Sequence, residues 1–453
     1  MVNCSKLNKV KCNENPEHCN WVSGKGCKSL YTQRTRSTNK QSTNTYNSTI
    51  KSSSPMNHKL LDKGTYGCVI NPPIFQKSQI IQVILPYRNQ HPSDISKIYK
   101  GGVEEFTDEY KLLRQVQKID PYNQFTTRLK GAMILNGETI DNPSIRQCLT
   151  KESKKEYQKK YYQIILENGG VRTDKEYKIQ YYDFLQKLKV FLKGMKKLQS
   201  KGFVHLDIKP ANVLISDEKI NLIDFGIMTN VDSLFTLDNI HALGYLEYPF
   251  YPPEFYLAYS YIKRGEISTD KLEKLFNQDF LIQKNLQDRY IQGVSEFILA
   301  LNTKIAQGKT NIEDLFTREI AMKADVFSIA SIISALSKHI QYSQTLQYEQ
   351  KSFVNTLHSR CFEINPLKRI SITNLLKMVS DEEENYSSNT GSTTTIVSLS
   401  DGSSSSLNVS SGGAQQINKM KRTYCEKIPM RMLRAEMKPE VKRKIRQSRR
   451  GLL

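Results

Sequence analysis

The sequence contains no run of apolar residues that approaches the roughly 18 needed to cross a membrane. The N-terminal stretch Met1–Cys12 also lacks the apolar core of a secretory signal. These two absences predict a soluble protein of a reducing, intracellular compartment. Apolar residues still make up 38% of the 453 positions, which is enough to bury a sizeable core.

Acidic residues are scarce at both ends of the chain. Residues 1–57 hold nine Lys or Arg against two acidic residues, and residues 416–453 hold thirteen against three. Of the formal net charge of +21, only about +4 remains on the 358 residues between these segments. The basic character therefore belongs to the ends of the chain rather than to its central fold.

No C-x-x-C pair occurs among the four cysteines in the first 27 residues. Their density predicts a small stapled module over residues 1–30. Without a C-x-x-C pair a structural zinc site has weak support, so two disulfides, a zinc site and free thiols all stay open. The other four cysteines are scattered, and no role is expected for them. The two sets are Cys4, Cys12, Cys19 and Cys27, and Cys68, Cys148, Cys361 and Cys425.

Two segments have too little apolar surface to offset the entropy of ordering, and both are expected to be disordered. Residues 31–57 form a linker rich in Ser, Thr, Asn and Gln, and residues 379–418 form a spacer dominated by Ser, Thr and Gly. The composition between them, over residues 58–378, is globular. Residues 419–453 form a short basic tail.

The basic tail lacks the regular aromatic residues of a base-stacking surface. Its Lys and Arg residues could still contact nucleic acid, an anionic membrane or an acidic partner. They could equally serve as a nuclear-import signal, or give only weak nonspecific attraction. The partner of this tail stays open.

The hydrophobic period changes along the globular region. Strand-like runs such as Ile80–Leu85 and Tyr161–Leu166 come first, whereas apolar residues recur at helical spacing over Tyr181–Leu198. This change predicts an α+β fold. Its β-rich part covers about residues 58–168, and its helical part covers about residues 169–378.

Two polar clusters flank a predicted hairpin of two short strands. The first is His205–Asn212, and the second, Asp224–Gly226, starts twelve residues after Asn212. Together they supply two carboxylates, a carboxamide and an ammonium group. Phosphoryl transfer needs this set, because its transition state spreads negative charge over oxygens that metal ions and a cation must stabilise.

Each of four residues in these clusters has an expected task in that chemistry. Asp207 would accept the proton of the attacking hydroxyl or orient it, and Lys209 would lie near the transferred phosphate. Asn212 and Asp224 would hold Mg²⁺, which prefers a few hard oxygen ligands alongside phosphate oxygens.

The two clusters resemble the catalytic and magnesium-binding loops of eukaryotic-type protein kinases. A lysine two residues after the catalytic aspartate is the form typical of serine/threonine kinases. The resemblance covers about residues 58–378. It implies a bilobal protein-kinase fold with a β-rich small lobe and a helical large lobe, ATP and Mg²⁺ as cofactors, and protein substrates.

The resemblance also implies a glycine-rich loop over Leu61–Val69. Glycines let backbone amides approach phosphate groups closely. Asp62 stands where the family has its first glycine, and this replacement weakens the motif. The residues expected to contact the nucleotide are Leu61, Gly64, Thr65, Tyr66, Gly67 and Val69.

A lysine that positions the phosphates is expected on the strand that follows, with a glutamate partner on the next helix. Lys97 is preferred over Lys100 for the first role. Glu109 fits the second, with Glu104 and Glu105 as alternatives.

The adenine pocket is expected at the end of the strand Tyr161–Leu166. Leu166 would guard the pocket, and the backbones of Glu167 and Asn168 would offer hydrogen bonds. Leu214 would form part of the apolar floor beneath the adenine.

Three further residues resemble structural landmarks of the family. Glu254, in the run Tyr251–Glu254, stands at the end of the activation segment and would pair with Arg369. Asp325 resembles the helix aspartate that braces the catalytic loop.

The sequence departs from the kinase family pattern at two positions that bear on regulation and substrate specificity. Leu206 replaces an arginine that receives a phosphate from the activation segment, which disfavours activation by phosphorylation there. Glu247 replaces a threonine near the substrate site. Insertions are expected at about 257–315, where the pattern is helical, and around Asn136–Lys160.

These insertions and the N-terminal cysteines resemble kinases encoded by giant DNA viruses, of the mimivirus-like kind. That resemblance implies the host cytoplasm or the virion as the location, with nuclear entry through the basic tail.

Two other functions compete with an active protein kinase. A pseudokinase scaffold that binds partners through its insertions and tails is suggested by Asp62, Leu206 and Glu247. The retention of all five polar residues argues against it: Lys97, Glu109, Asp207, Asn212 and Asp224. A kinase for small molecules or lipids ranks last, because Pro252-Pro253-Glu254 is typical of protein kinases.

Overall fold

The computed structural model describes residues 19–22, 26–29, 58–63, 67–75, 80–99, 103–137, 160–236, 239–240, 250–268, 284–343 and 346–391. The chain divides into two units, Met1–Met56 and Asn57–Leu453. The predicted linker, most of the spacer, the basic tail and most of the insertion around Asn136–Lys160 lie outside the described residues.

The described part of the first unit is a two-stranded antiparallel hairpin. Its strands are β1 (Cys19–Val22) and β2 (Gly26–Ser29), with Trp21 opposite Cys27 in the backbone register. The side chains of the N-terminal cysteines lie outside the described atoms, so the choice between disulfides, zinc and free thiols stays a prediction.

The strand-rich part of the second unit is a six-stranded antiparallel sheet. Its strands are β3 (Lys59–Lys63), β4 (Gly67–Asn71), β5 (Ile80–Leu85), β6 (Ile95–Tyr99), β7 (Leu129–Asn136) and β8 (Lys160–Leu166). Their order in the sheet is β3-β4-β6-β8-β7-β5. Consecutive Ile164 and Ile165 of β8 are both buried because apolar clusters cover both faces of the sheet there.

Helix α1 (Val103–Ile119) packs on one face of this sheet. Acidic residues in its first turn and Lys118 in its last turn complement the helix dipole. Phe106, Leu113 and Val116 recur at helical spacing and are buried in the main core. The same face buries Glu109, which brings a carboxylate towards the sheet.

The rest of the second unit is mainly helical. The helices are α2 (Tyr181–Ser200), α3 (Pro253–Arg264), α4 (Lys284–Ala306), α5 (Ile312–Leu315), α6 (Arg318–Met322), α7 (Ala324–Ser343), α8 (Tyr348–Cys361) and α9 (Ile372–Gly391). Helix α2 lies at the centre, with its apolar stripe fully buried. Gly202 has a φ of +78° just past the end of α2, the left-handed conformation that terminates many helices.

Five short strands connect these helices and frame the loops between them. They are β9 (Val171–Arg172), β10 (Phe203–Val204), β11 (Val213–Ile215), β12 (Ile220–Leu222) and β13 (Thr229–Asn230). The order β12-β11-β9 forms one small sheet, and β10 pairs with β13. The predicted hairpin after His205 is therefore β11–β12.

The predicted insertion at 257–315 is helical where the structure describes it. Its first residues, however, continue α3, which begins at Pro253. Helix α4 buries Val294, Phe297 and Leu301 in an apolar cluster that also contains Phe316. The insertion therefore shares its core with the segments around it.

One segment, Arg318–Ile340, is long and apolar enough to span a membrane by length and composition alone. The protein buries 94% of its most apolar 18-residue window. A core helix passes the same test, and α7 packs against α2 and α8 in this way.

Helix α9 crosses the predicted boundary at 378 and continues to Gly391. The acidic run just after the boundary contacts α2. Tyr181 donates a hydrogen bond to Glu382 at 2.7 Å, and Lys189 pairs with Glu383 at 2.6 Å. These contacts extend the helix into a segment that composition alone places in the spacer.

Among the scattered cysteines, Cys68 differs from expectation. It is disulfide-bonded, whereas Cys361 is a free, buried thiol. Burial raises the pKa of the Cys361 thiol well above its usual range.

Candidate active site

The catalytic loop is held in place by a buried aspartate from α7. Asp325 accepts hydrogen bonds from the backbone N–H groups of His205 at 2.7 Å and Leu206 at 3.0 Å. The two hydrogen bonds to Asp325 stabilise Leu206 at a φ of +66°, a backbone conformation that is strained for a residue with a side chain. Burial raises the pKa of the Asp325 carboxyl to about 6, although the two hydrogen bonds oppose that shift.

His205 is a second brace of the same loop. Its Nδ1 accepts a hydrogen bond from the backbone N–H of Asp207 at 3.2 Å. Its ring lies edge-on to Phe225, with the centroids 5.0 Å apart. Burial lowers the pKa of His205 to about 4, so the ring is neutral at pH 7 and acts as an acceptor.

The structure brings three candidate catalytic residues, Asp207, Lys209 and Asn212, into contact in this loop. The Asn212 carboxamide donates to the Asp207 carboxylate and to its backbone carbonyl, both at 2.9 Å. The Lys209 Nζ lies 3.3 Å from the other carboxylate oxygen, and all three side chains are buried. The Asp207 carboxylate is therefore held in one orientation between a neutral donor and a cation.

Asp224 follows β12 at the same open end of the β11–β12 hairpin as Asn212, because the Ile223 N–H donates a hydrogen bond to the Asn212 carbonyl at 3.0 Å. Its φ of +60° places it in the left-handed region, and the backbone then enters a short 3-10 turn over Phe225–Ile227. Phe225 is buried in the core cluster that contains Leu112 and Leu113 of α1. The apolar anchor of Phe225 thereby fixes the position of the neighbouring carboxylate.

The donors of Asn212 and Asp224 are hard oxygens, which fit Mg²⁺. Within the described ranges no group of three or more His, Cys, Asp or Glu residues could hold a metal ion. Mg²⁺ is usually bound by one or two protein oxygens together with phosphate oxygens rather than by an all-protein cage.

Lys97 on β6 joins this site to α1. Its Nζ lies 2.6 and 2.7 Å from the two carboxylate oxygens of Glu109 and 3.8 Å from Asp224. Of the alternatives, Glu104 is exposed and Glu105 is only half-buried, while Lys100 lies outside the described residues. Among the described candidates, the geometry therefore pairs Lys97 with Glu109.

Two of the candidate nucleotide residues, Gly67 and Val69, lie on β4, which pairs with the strand that carries Lys97. Val69 on β4 lies directly opposite Lys97, and Leu61 on β3 is exposed. A Cβ atom on Gly67 would lie 2.3 Å from the carbonyl oxygen of Ile98, so packing of β4 on β6 requires glycine there. Gly64, Thr65 and Tyr66 lie in the part of the loop that the structure does not describe.

The expected adenine pocket is partly changed by the backbone pairing. The Glu167 N–H donates to the carbonyl of Arg128 at 2.9 Å, which leaves the Glu167 carbonyl for a ligand. Leu166 is half-buried at the end of β8, and Leu214 is buried on β11. Sequence reasoning missed Gly169, where a Cβ would lie 2.8 Å from Leu214.

The side chain of Asn168 turns back on its own loop. Its carbonyl oxygen accepts a hydrogen bond from the backbone N–H of Gly170 at 3.0 Å. This short turn orders the segment between β8 and β9 next to Leu214.

The end of the activation segment is anchored by a buried ion pair. Arg369 contacts Glu254 through two parallel bonds of 2.5 and 3.0 Å, and both side chains are fully buried. The guanidinium also lies 5.0 Å from the ring centroid of Phe327. The predicted pairing of these two residues is present.

Leu206 lies in an apolar cluster where the family has a charged residue. Leu234, Phe235 and Phe250 of the activation segment belong to the same cluster. Apolar burial therefore takes the place of an arginine–phosphate contact at this position. Glu247 lies outside the described residues.

Comparison with known proteins agrees with this geometry. The family model described as protein kinase domain matches residues 104–265. The chain is 38% identical over 82 residues to the mitosis inhibitor protein kinase SWE1 of Candida albicans, which is 16% of this chain and 7% of that protein. It is 36% identical over 78 residues to the serine/threonine-protein kinase pakE of Dictyostelium discoideum, 17% of this chain and 8% of that protein.

A longer match extends over 173 residues of the human mitogen-activated protein kinase 13, at 27% identity. It covers 33% of this chain and 44% of that protein. The chain thus spans less than half the length of each of these relatives. The fold, the site and the matched segment agree, and the chain therefore carries a protein kinase domain similar to those of serine/threonine kinases.

Proposed function

We propose that the chain is an active serine/threonine protein kinase that transfers the γ-phosphate of ATP to a protein hydroxyl. The observation that carries this proposal is the position of Lys97 between Glu109 and Asp224. The same site holds an Asp207 carboxylate oriented by Asn212 and Lys209. A scaffold that binds no nucleotide has no physical need of all these contacts.

Asp207 is proposed to receive the substrate hydroxyl, accept its proton and aim its oxygen at the phosphate. Its fixed orientation lowers the entropy cost of that alignment. Lys209 would lie against the transferred phosphoryl group, where its charge offsets the negative charge that develops on the oxygens.

Asn212 and Asp224 are proposed to hold Mg²⁺, which supplies positive charge to the phosphates when bound. Lys97 would contact the phosphates from the side of the sheet, with Glu109 fixing its position. Leu61, Gly64, Thr65, Tyr66, Gly67 and Val69 would cover the nucleotide, with Leu166, Glu167, Asn168 and Leu214 around the adenine.

The finer placement is also a proposal. Lys209 and the names of the relatives support serine or threonine as the acceptor. The helical insertion and the N-terminal cysteines support the mimivirus-like kind of kinase. The basic tail is proposed to contact nucleic acid or an acidic protein partner, because thirteen Lys or Arg residues stand against three Glu in residues 416–453.

A phosphotransfer assay with radiolabelled ATP and a panel of generic protein substrates, followed by phosphoamino-acid analysis, tests the proposal. The Asp207→Asn variant should lose at least about 100-fold of the rate, because the proton acceptor is removed while the shape is kept. Asp217→Asn, which only removes the negative charge of the group that accepts the exposed Tyr177 hydroxyl bond, is the matched control. Equal rates for the wild type and Asp207→Asn would refute the role of Asp207.

A further inference from the structure

Asp62, which stands in place of a family glycine, makes a contact across the molecule. Its carboxylate lies 3.0 Å from Nη1 of Arg172, a residue 110 positions along the chain. The register of the β3–β4 pair shifts between Leu60 and Asp62. A bulge of this kind re-aims a side chain, and here it accompanies the turn of Asp62 towards Arg172.

Arg172 is held independently of Asp62. Its Nε and Nη2 atoms contact the two oxygens of Asp174 at 2.9 and 2.7 Å, and the Asp174 carboxylate is buried. A bidentate bond of this geometry fixes the plane of the guanidinium. Asp174 therefore holds the guanidinium of Arg172 in an orientation in which Nη1 faces the Asp62 carboxylate.

The two partners belong to opposite sides of the proposed nucleotide site. Asp62 lies on β3 of the six-stranded sheet, two residues before Gly64 of the glycine-rich loop. Arg172 lies on β9, opposite Leu214 in the ladder with β11, and Leu214 is the proposed floor beneath the adenine. The Asp62–Arg172 contact, called the cleft ion pair below, therefore joins the roof of the site to its floor.

The exposure of the pair decides what it can do. The Asp62 side chain is 53% exposed and that of Arg172 is 27% exposed, so solvent screens their attraction and little folding stability comes from it. Any opening of the site, however, must separate the two charges.

We propose that the cleft ion pair closes the mouth of the nucleotide site and slows the release of nucleotide. Asp62 and Arg172 are positioning residues in this role, because neither contacts the reacting atoms. The slower release of nucleotide rests on the proposed kinase function. The contact that holds β3 of the six-stranded sheet against β9 does not depend on that function.

Stopped-flow release of a fluorescent ADP analogue from the full chain tests whether the cleft ion pair slows the release of nucleotide. Asp62→Asn should release it roughly two- to fivefold faster, the range that the energy of an exposed ion pair allows. The KM for ATP should rise by a similar factor, without a fall in kcat. Glu296→Gln is the matched control, because its pair with Lys368 (2.7 Å) is also exposed but lies on the helical part alone.

Salt provides an internal check on the same variants. Raising the ionic strength from about 0.05 to about 0.5 M should speed ADP release from the wild type towards the rate of Asp62→Asn, since exposed charges are screened. The variant should respond less. Equal release rates and equal salt responses for the two proteins would overturn the effect on nucleotide.

Hydrogen exchange on the nucleotide-free full chain tests closure independently of catalysis. In Asp62→Asn the amides of β3, Lys59–Lys63, should exchange faster than in the wild type, while Glu296→Gln should leave them unchanged. A wild type that neither binds nucleotide nor transfers phosphate would refute the kinase proposal. Identical exchange of β3 in the wild type and Asp62→Asn would instead refute the closure.

Discussion

The catalytic loop and the mouth of the nucleotide site are stabilised in opposite ways. Around Asp207 the carboxylates are buried and hydrogen-bonded, Asp325 to the backbone beneath the loop and Asp207 to the Asn212 carboxamide. At the mouth, the cleft ion pair is an exposed contact. The proposed chemistry therefore rests on buried, hydrogen-bonded groups, whereas the proposed control of nucleotide entry and exit rests on an exposed contact that water can replace.

The largest effect on stability should come from the buried anchor of the activation segment. Arg369→Leu leaves the Glu254 carboxylate buried without its partner, which should lower the free energy of unfolding by about 3–5 kcal/mol. Urea unfolding measures the change. Lys368→Met, one position earlier, removes an exposed pair with Glu296 and should leave the unfolding curve unchanged. Equal losses in both variants would contradict the difference between buried and exposed contacts.

The largest effect on catalysis outside the loop should come from the partner of Lys97. Glu109→Gln removes the charge that holds Lys97, and a charge-assisted bond of this kind is worth about 1.5–3 kcal/mol. That energy corresponds to about a 10- to 100-fold loss of kcat/KM.

Steady-state phosphotransfer measures that loss. Glu104→Gln, on the exposed face of the same helix, is the control and should behave like the wild type. A loss in the control and none in Glu109→Gln would reverse the assignment of the two residues.

The pH dependence tests the brace beneath the catalytic loop. The pKa of Asp325 is raised to about 6, so its carboxylate is charged at pH 7 and accepts both backbone N–H bonds. Protonation as the pH falls through about 6 weakens this acceptance, so kcat should fall several-fold on the acid side.

The acid limb of that profile should disappear in Asp325→Asn, whose kcat is already reduced at pH 7. His205, with its pKa lowered to about 4, titrates too low to produce a limb near pH 6. A limb that stays near pH 6 in Asp325→Asn would assign it to another group.

The smallest effect should follow removal of phosphate from the activation segment. Because Leu206 packs with Leu234, Phe235 and Phe250, the segment is held by apolar contacts rather than by a phosphate. Phosphatase treatment of the purified kinase should therefore leave its phosphotransfer rate unchanged. A marked loss of activity after that treatment would show that another cation receives a phosphate.

Local patterns predicted much of the fold because they depend on near neighbours. The helical period over Tyr181–Leu198 corresponds to α2, and the apolar runs at Ile80–Leu85 and Tyr161–Leu166 correspond to β5 and β8. The extension of α9 past Met378 was not predictable from composition. Tyr181 and Lys189, about 200 residues earlier in the chain, supply the partners that stabilise it.

In the candidate site, too, local patterns predicted some features, and others depended on contacts between distant residues. The identities and spacing of Asp207, Lys209, Asn212 and Asp224 indicated phosphoryl transfer directly, since the chemistry needs two carboxylates, a carboxamide and an ammonium group close together. The sequence put Glu109 ahead of Glu104 and Glu105, but all three lie on one helix. The tertiary structure shows that Glu109 is the buried one and that it contacts Lys97.

The sequence by itself determined the polar groups of the site and the β-to-α order of the elements, because motif spacing and hydrophobic period are local properties. It showed Asp62 only as a missing glycine. Its partner Arg172 lies 110 residues away, and their contact exists only once the two sheets have packed. The tertiary structure thus decided which charges meet across the site, since long-range pairing depends on the packing of the whole domain.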